Sequence, residues 1–210
     1  MEKRIIQISK FLSVVLSPFY APLWAFLWLL LFTRLQVLPW VYKAWLLGMV
    51  FFFTIFIPRI SINLFRYFNH LTHWQLSHRE HRHMPYILTL LSYGCCLVLL
   101  SQANAWMFFR SIILASLLAQ LICVVVNLWW KISTHMVGMG GLVGMTIAFS
   151  YTFYFNPLVP LCLLLLLSGL LGTSRMVLRQ HSLGQVLTGF AVGFVCVFLC
   201  LLFAHNVLVF

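Results

Sequence analysis

The sequence predicts an all-α fold, a polytopic transmembrane helix bundle with about six to seven spanning helices. Of the 210 residues, 63% are hydrophobic and only 7% are charged, whereas soluble domains have about 25% charged residues. Several apolar runs also approach the roughly 20 residues that a spanning helix needs. Because so few polar residues cannot coat a soluble surface, we expect a multi-pass integral membrane protein.

Seven segments are candidate spanning helices. Pro18 and Pro22 are expected to kink the first of them. Asn156 and Pro157 predict a tight turn between the fifth and sixth segments, and residues 102–104 predict a short turn between the third and fourth. The second, third and sixth segments are short for a membrane crossing. The seven segments are 11–32, 41–58, 86–102, 107–130, 137–155, 157–173 and 184–208.

Two pairs of glycines predict close packing between helices. Gly140 and Gly144 share one helix face, and Gly189 and Gly193 share another. Small residues at this spacing let helix backbones approach each other in lipid. Without an internal repeat or a linker, the chain is predicted to be one domain. Its parts are the N-terminal spans over 1–58, a core with the polar motifs over 59–189 and a last span over 184–208, all within 1–210.

The charge balance excludes several kinds of chemistry. The chain has 13 Lys and Arg residues but only two acids, Glu2 and Glu80. Carboxylate pairs of glycosidases, Ser-His-Asp triads, two-metal centres and calcium or magnesium sites all need more acids or an Asp. The remaining basic residues, hydroxyls and eight histidines suit the binding of phosphate or anionic lipid. Membrane lipids are therefore predicted partners, and nucleic acid is not.

Three polar stretches interrupt the apolar pattern: the first at 59–85, the second at 131–135 and the third at 174–181, followed by Gln185. Two predicted spans separate each stretch from the next, so all three return to the same membrane face. Ten basic residues fall on that face and three on the other, which by the positive-inside rule indicates a cytoplasmic face. Functional cations also inflate this count, so the sidedness stays open.

The second and third stretches contain the residues of a candidate phosphoryl-transfer site. Gln185 lies one helical turn after His181, so its amide oxygen can reach the imidazole. Ser133 and His135 follow Lys131 at the start of a glycine-rich helix, whose N-terminus attracts anions. Two histidines beside fixed cations predict a site that works without metal, with one histidine as nucleophile and the other as acid.

A simpler interpretation exists for each group. The residues of the second and third stretches would then cap helix ends, and Arg79 and Arg82 would lie in an ordinary loop facing lipid headgroups. Five histidines have one acid, Glu80, and no Cys or Asp nearby, so we interpret them as interfacial or anion-adjacent residues rather than metal ligands. They are His70, His73, His78, His81 and His83. No metal and no cofactor are predicted.

The third stretch carries a resemblance to a known family. Ser174-Arg175, five residues and then His181 are similar to the S-R-x5-H-x3-D pattern of the type-2 phosphatidic acid phosphatase superfamily. Gln185 stands where this pattern has Asp. The Asp would orient the nucleophilic histidine and stabilise its positive charge, whereas Gln accepts the same hydrogen bond without adding charge.

The other two patterns of the superfamily match in part, and in the same order along the chain. Residues 132–135 resemble P-S-G-H at Ser133 and His135, with Ile132 and Thr134 in place of Pro and Gly. The K-x6-R-P pattern is represented only by an Arg and a Pro with two residues between them, within 79–85, and no Lys lies seven residues before the Arg. The resemblance spans about 79–189, over half of the chain.

The resemblance implies a phosphohistidine mechanism on a membrane lipid phosphate or pyrophosphate. His181 would attack phosphorus, oriented by Gln185, and His135 would protonate the leaving lipid oxygen and then activate water. Arg175, Ser133 and Arg82 would hold the phosphate, with Arg79 or Lys131 in place of the missing Lys. The resemblance also implies a bacterial inner membrane, and a site facing the periplasm or a lumen.

Two other functions stay open at the level of sequence. Because Gln185 adds no charge, the chain is alternatively a weakened or inactive phosphatase-like protein that binds phospholipid headgroups or serves a structural role. A small transporter is less favoured, because Lys43 and Arg110 lie close to segment ends rather than deep within helices. Neither the preferred lipid nor the oligomeric state follows from the sequence.

Overall fold

A computed structural model describes residues 2–70 and 83–209 of the chain. It confirms the all-α fold: 86% of the structure is helical, and no strand occurs in these ranges. The α-helices of the described chain are α1 (Glu2–Val15), α2 (Ala21–Phe32), α3 (Trp40–Phe51), α4 (Ile57–Phe68), α5 (His83–Gln102), α6 (Met107–Asn127), α7 (Thr134–Phe153), α8 (Leu158–Val177) and α9 (Leu183–Val209).

Seven spans of the described chain are long and apolar enough to cross a membrane, as the sequence predicted for a multi-pass protein. The first joins α1 to α2 through a 3-10 turn at Pro18–Tyr20, which confirms the kink at Pro18. The second joins α3 to α4 through a π-helical turn at Phe52–Phe56. The spans are Lys3–Phe32, Trp40–Phe68, Met84–Gln102, Met107–Asn127, Thr134–Phe153, Leu158–Val177 and Leu183–Ala204.

Three predicted segment bounds are wrong, because polar residues that were taken for loops lie on helices. The first span begins at Lys3 rather than at 11. The second span continues ten residues past 58 to Phe68, and on it the Arg59 guanidinium donates to the Tyr20 hydroxyl at 2.7 Å and lies 4.9 Å from the centre of its ring. The sixth span continues past 173 to Val177, so Arg175 lies in the last turn of α8 rather than in a loop. Parts of the first and third polar stretches are therefore helical.

The fifth span, α7, is the centre of the bundle. Within its most apolar window 67% of the residues are buried, compared with at most 39% in the other spans. Its most extensive contact is with α9. A methyl group added at Gly140 would overlap the carbonyl oxygen of Phe190, and one added at Gly193 would overlap that of Val137. The two predicted glycine faces therefore pack directly against each other.

The second and third polar stretches meet at one end of the bundle, which we call the basic end. Ser133, just before α7, donates its backbone N–H to the carbonyl oxygen of Gln185 at 3.4 Å. The N-terminus lies at the same end, since Ile5 and Ile6 line one depression with Arg179. This confirms the predicted return of both stretches to one side. Most of the first stretch, 71–82, lies outside the described residues.

We predict that Gly140→Ala destabilises the protein by about 1–3 kcal/mol, because the added methyl group forces α7 and α9 apart. The matched control is Gly169→Ala in α8, where no atom lies within 4 Å of the added methyl group. There the better helix propensity of alanine should stabilise by up to about 1 kcal/mol. Unfolding in detergent measures both. Equal effects of the two substitutions would contradict the close packing of α7 and α9.

Candidate functional site

His181 is the most clearly positioned ionisable residue at the basic end. Its side chain is only 8% exposed, and its Nδ1 atom lies 3.1 Å from Oε1 of Gln185. The backbone N–H of Ser182 donates to the same oxygen at 3.2 Å. A backbone N–H can only donate, so the atom that faces both groups is the amide oxygen. Nδ1 therefore carries a proton, and in the neutral ring Nε2 is the acceptor nitrogen.

Ser182 and Gln185 also form a capping box at the start of α9. The N–H of Gln185 donates to the Ser182 hydroxyl at 3.4 Å, while Gln185 accepts from Ser182 in return. This reciprocal pair is typical of the sequence Ser-x-x-Gln at a helix start. Our sequence analysis missed this signal, which is present in 182–185. Gln185 thus has two roles, because the same oxygen that caps α9 orients the ring of His181.

Arg175 is positioned by the turn that ends α8. The N–H of Gln180 donates to the Arg175 carbonyl oxygen at 3.1 Å, and that of Arg179 donates to Met176 at 2.9 Å. This is the Schellman arrangement of helix ends, in which one residue adopts the left-handed conformation. Arg179 occupies that position with φ of 52°, at a steric cost that glycine would avoid. The turn leads the chain from half-buried Arg175 directly to His181.

Ser133 is fully buried between α7 and α9. It occupies the N-cap position of α7, but its side chain makes no capping hydrogen bond. Within the described chain its hydroxyl has no hydrogen-bond partner at all. Its carbonyl oxygen lies 2.6 Å from the place where a Cβ atom of Gly189 would be. Ordinary helix-start capping, the simpler interpretation, therefore does not describe the Ser133 side chain.

His135 contacts a different part of the bundle. Its Nε2 atom lies 3.0 Å from the carbonyl oxygen of Ser13, in the last turn of α1. A carbonyl can only accept, so Nε2 carries the proton and Nδ1 is the acceptor nitrogen of the neutral ring. That carbonyl is available because the N–H of Ser17 donates to Val14 instead. His135 therefore caps the end of α1, as basic side chains often do.

The contacts of α7 show which predicted residues come together. His135 shares a helix face with Met139 and Leu142, at spacings of four and seven residues, and this face points away from the glycines that pack on α9. Ser133 instead lies beside Gln185, next to His181. Both histidines are thus at the basic end, with His135 held by α1 and His181 by Gln185 of α9. Their convergence on one phosphorus atom stays a prediction.

Of the four candidate cations, the structure describes two. Lys131 is half-buried and lies two residues before Ser133, and Arg175 is half-buried at the end of α8. Both therefore flank the pair formed by His181 and Gln185. Arg79 and Arg82 lie outside the described residues.

An apolar groove extends from His135 along the side of the bundle. His135 lines a small chamber with Leu16, Trp24, Met139 and Leu142. The same four apolar residues also line a groove of about 290 Å³ between α2, α7 and α8. The Thr146 hydroxyl in this groove donates to Leu142 within its own helix at 2.8 Å. The groove thus presents almost only hydrocarbon, with the imidazole of His135 at one end.

Metal ligands are not grouped in the described ranges: no cluster of three or more His, Cys, Asp or Glu residues there could hold a metal ion. The donors brought together are imidazoles, an amide, a serine hydroxyl and cationic side chains. Such a set suits proton transfer and the binding of an anion. Comparisons with family models, with curated proteins and with solved structures find no match for this chain.

Proposed function

We propose that this protein is a metal-independent phosphatase for a membrane lipid phosphate or pyrophosphate, a divergent type-2 phosphatidic acid phosphatase of a bacterial inner membrane. One observation carries the proposal. Gln185 accepts a hydrogen bond from Nδ1–H of His181, which leaves Nε2 as the nucleophilic nitrogen. Arg175, Lys131 and the buried hydroxyl of Ser133 lie on the adjoining elements at the same end of the bundle.

The proposed reaction has two steps. Nε2 of His181 attacks phosphorus, and the bond from phosphorus to the lipid oxygen breaks as His135 donates a proton to that oxygen. His135 then takes a proton from water, which attacks the phosphohistidine and releases phosphate and free His181. Because Nε2 of His135 donates to Ser13, its Nδ1 atom would exchange this proton. Arg175, Ser133 and Lys131 would stabilise the charge on the phosphoryl oxygens.

The apolar groove supports a lipid as the substrate. It is lined almost wholly by hydrocarbon and begins at His135. A chain lying in it would bring the attached headgroup to the basic end. Because lipid tails are as apolar as such a lining, the groove would orient the substrate rather than supply hydrophobic affinity.

A binding protein without turnover is the second candidate, and the contact of His135 favours it. Its Nε2 atom is occupied by a carbonyl of α1, and its Nδ1 atom is buried. Gln185 also adds no charge to stabilise an imidazolium. In this case the basic end would bind phosphorylated headgroups without cleaving them.

The enzymatic proposal predicts phosphate release by the detergent-solubilised protein from at least one lipid phosphate or pyrophosphate in EDTA.

His181→Ala should reduce kcat by a factor of about 10³ or more, because no other group replaces the nucleophile. Arg175→Gln should reduce kcat/KM about 10²-fold. Arg34→Gln, an exposed arginine between the first and second spans, is the control and should leave the rate unchanged. Release that persists in His181→Ala would refute the assigned nucleophile.

Gln185→Glu separates a slow enzyme from a binding protein. Glutamate keeps the length of the side chain and the capping box, and it adds a negative charge beside the imidazole. In serine proteases the exchange of the orienting Asp for Asn costs about 10⁴ in kcat through the wrong tautomer. Gln185 already holds the tautomer with Nδ1–H, so only the charge is added here, and a slow enzyme should gain at least about tenfold. Gln102→Glu, exposed at the opposite end of α5, controls for charge alone. If Gln185→Glu binds lipid phosphate but remains inactive, the binding protein is favoured.

A further inference from the structure

Two adjoining chambers lie on the side of α7 that faces α5 and α6. The inner chamber has a volume of about 60 Å³ and reaches Gly141 and Met145 in the middle of α7. The outer one has a volume of about 90 Å³ and lies between Ile62 of α4 and Pro85 of α5. Tyr93, Gln120 and Thr134 line both chambers, together with Pro18. The two chambers therefore form one path from the basic end into the bundle.

Tyr93 is the clearest sign that this path is a binding site. Its side chain is 5% exposed and lines both chambers, yet its hydroxyl forms no hydrogen bond within the described chain. The amide of Gln120 also forms none there. Tyr93 lies about 15 Å along α5 from its first residue, at a depth where a polar group has no lipid partner. Polar atoms at this depth are unfavourable unless water or a ligand pairs with them, so the Tyr93 hydroxyl and the half-buried Gln120 amide point to a partner within the chambers.

The described lining of the two chambers suits an uncharged ligand. No Lys, Arg, His or acidic residue is among the described residues that line them, so none of these lining residues offers a counter-charge to a phosphate group. The polar lining instead consists of hydroxyls and an amide, which pair well with hydroxyl groups. A single water needs about 10–15 Å³ by this measure of volume, so the chambers have room for several non-hydrogen atoms.

We propose that the two chambers bind an uncharged, hydroxyl-bearing group of about the size of glycerol, with Tyr93 and Gln120 as its hydrogen-bonding partners. The group belongs either to a free polyol or to the headgroup of a lipid. The site is separate from the imidazoles, since Thr134 faces the chambers while His135, the next residue, faces Ser13. It does not depend on the phosphatase activity, because its ligand needs no phosphate.

The test is a binding experiment with the full chain in a detergent whose headgroup carries no hydroxyl. The probes are 1-oleoylglycerol, free glycerol and, as the hydrocarbon control, methyl oleate, and thermal unfolding reports binding. We expect 1-oleoylglycerol to stabilise the protein more than methyl oleate does. A response to glycerol alone would support the same site with a free polyol as the source. Equal responses to 1-oleoylglycerol and methyl oleate would overturn the proposal, leaving chambers that hold only water.

Tyr93→Phe removes the hydroxyl and little else. Because that hydroxyl has no hydrogen-bond partner among the described residues, the unliganded variant should unfold at the same temperature as the parent or higher. Its affinity for 1-oleoylglycerol should fall about threefold to tenfold, the value of one hydrogen bond. Gln120→Leu should act similarly. Tyr151→Phe, which removes an exposed hydroxyl from α7, is the matched control. An unchanged affinity in Tyr93→Phe would overturn the assignment.

Discussion

The direct backbone contact between α7 and α9 is the constraint on which the candidate site depends. Lipid tails are as apolar as leucine, so helices in a membrane associate through close packing rather than through the hydrophobic effect. Gly140, Gly144, Gly189 and Gly193 remove the side chains that would keep the two helices apart. As a result the start of α7 lies against the start of α9, and Ser133 bonds to the backbone of Gln185.

Composition and length were enough to predict most of the fold. The number of spans, the two short turns and the glycine faces follow from local patterns, and the structure has all of them. Span ends were predicted less well, because a charged residue was taken as the start of a loop. Arg59 instead lies on α4, where it binds Tyr20, which is 39 residues away. A local sequence pattern cannot predict a contact between residues so far apart.

The candidate site likewise contains contacts that a local sequence pattern predicts and contacts between distant residues that it does not. The bond between Gln185 and His181 could be predicted because helical geometry fixes residues four apart, and the capping box of 182–185 was equally readable. The bond between His135 and Ser13 joins residues 122 positions apart and could not be foreseen. It shows that His135 is held through Nε2 by α1, whereas His181 is held through Nδ1 by Gln185. The neutral chambers beside Thr134 add an uncharged region next to this basic end.

The central claim is that His181 becomes covalently phosphorylated, and trapping that intermediate tests it most directly. Full-length protein would be mixed with a lipid phosphate carrying labelled phosphorus, quenched in alkali, where phosphohistidine survives, and digested for mass spectrometry. The account predicts label on the peptide that contains His181 and none on it in His181→Ala. Turnover of the lipid with label on another residue, or with no labelled peptide at any quench time, would contradict it.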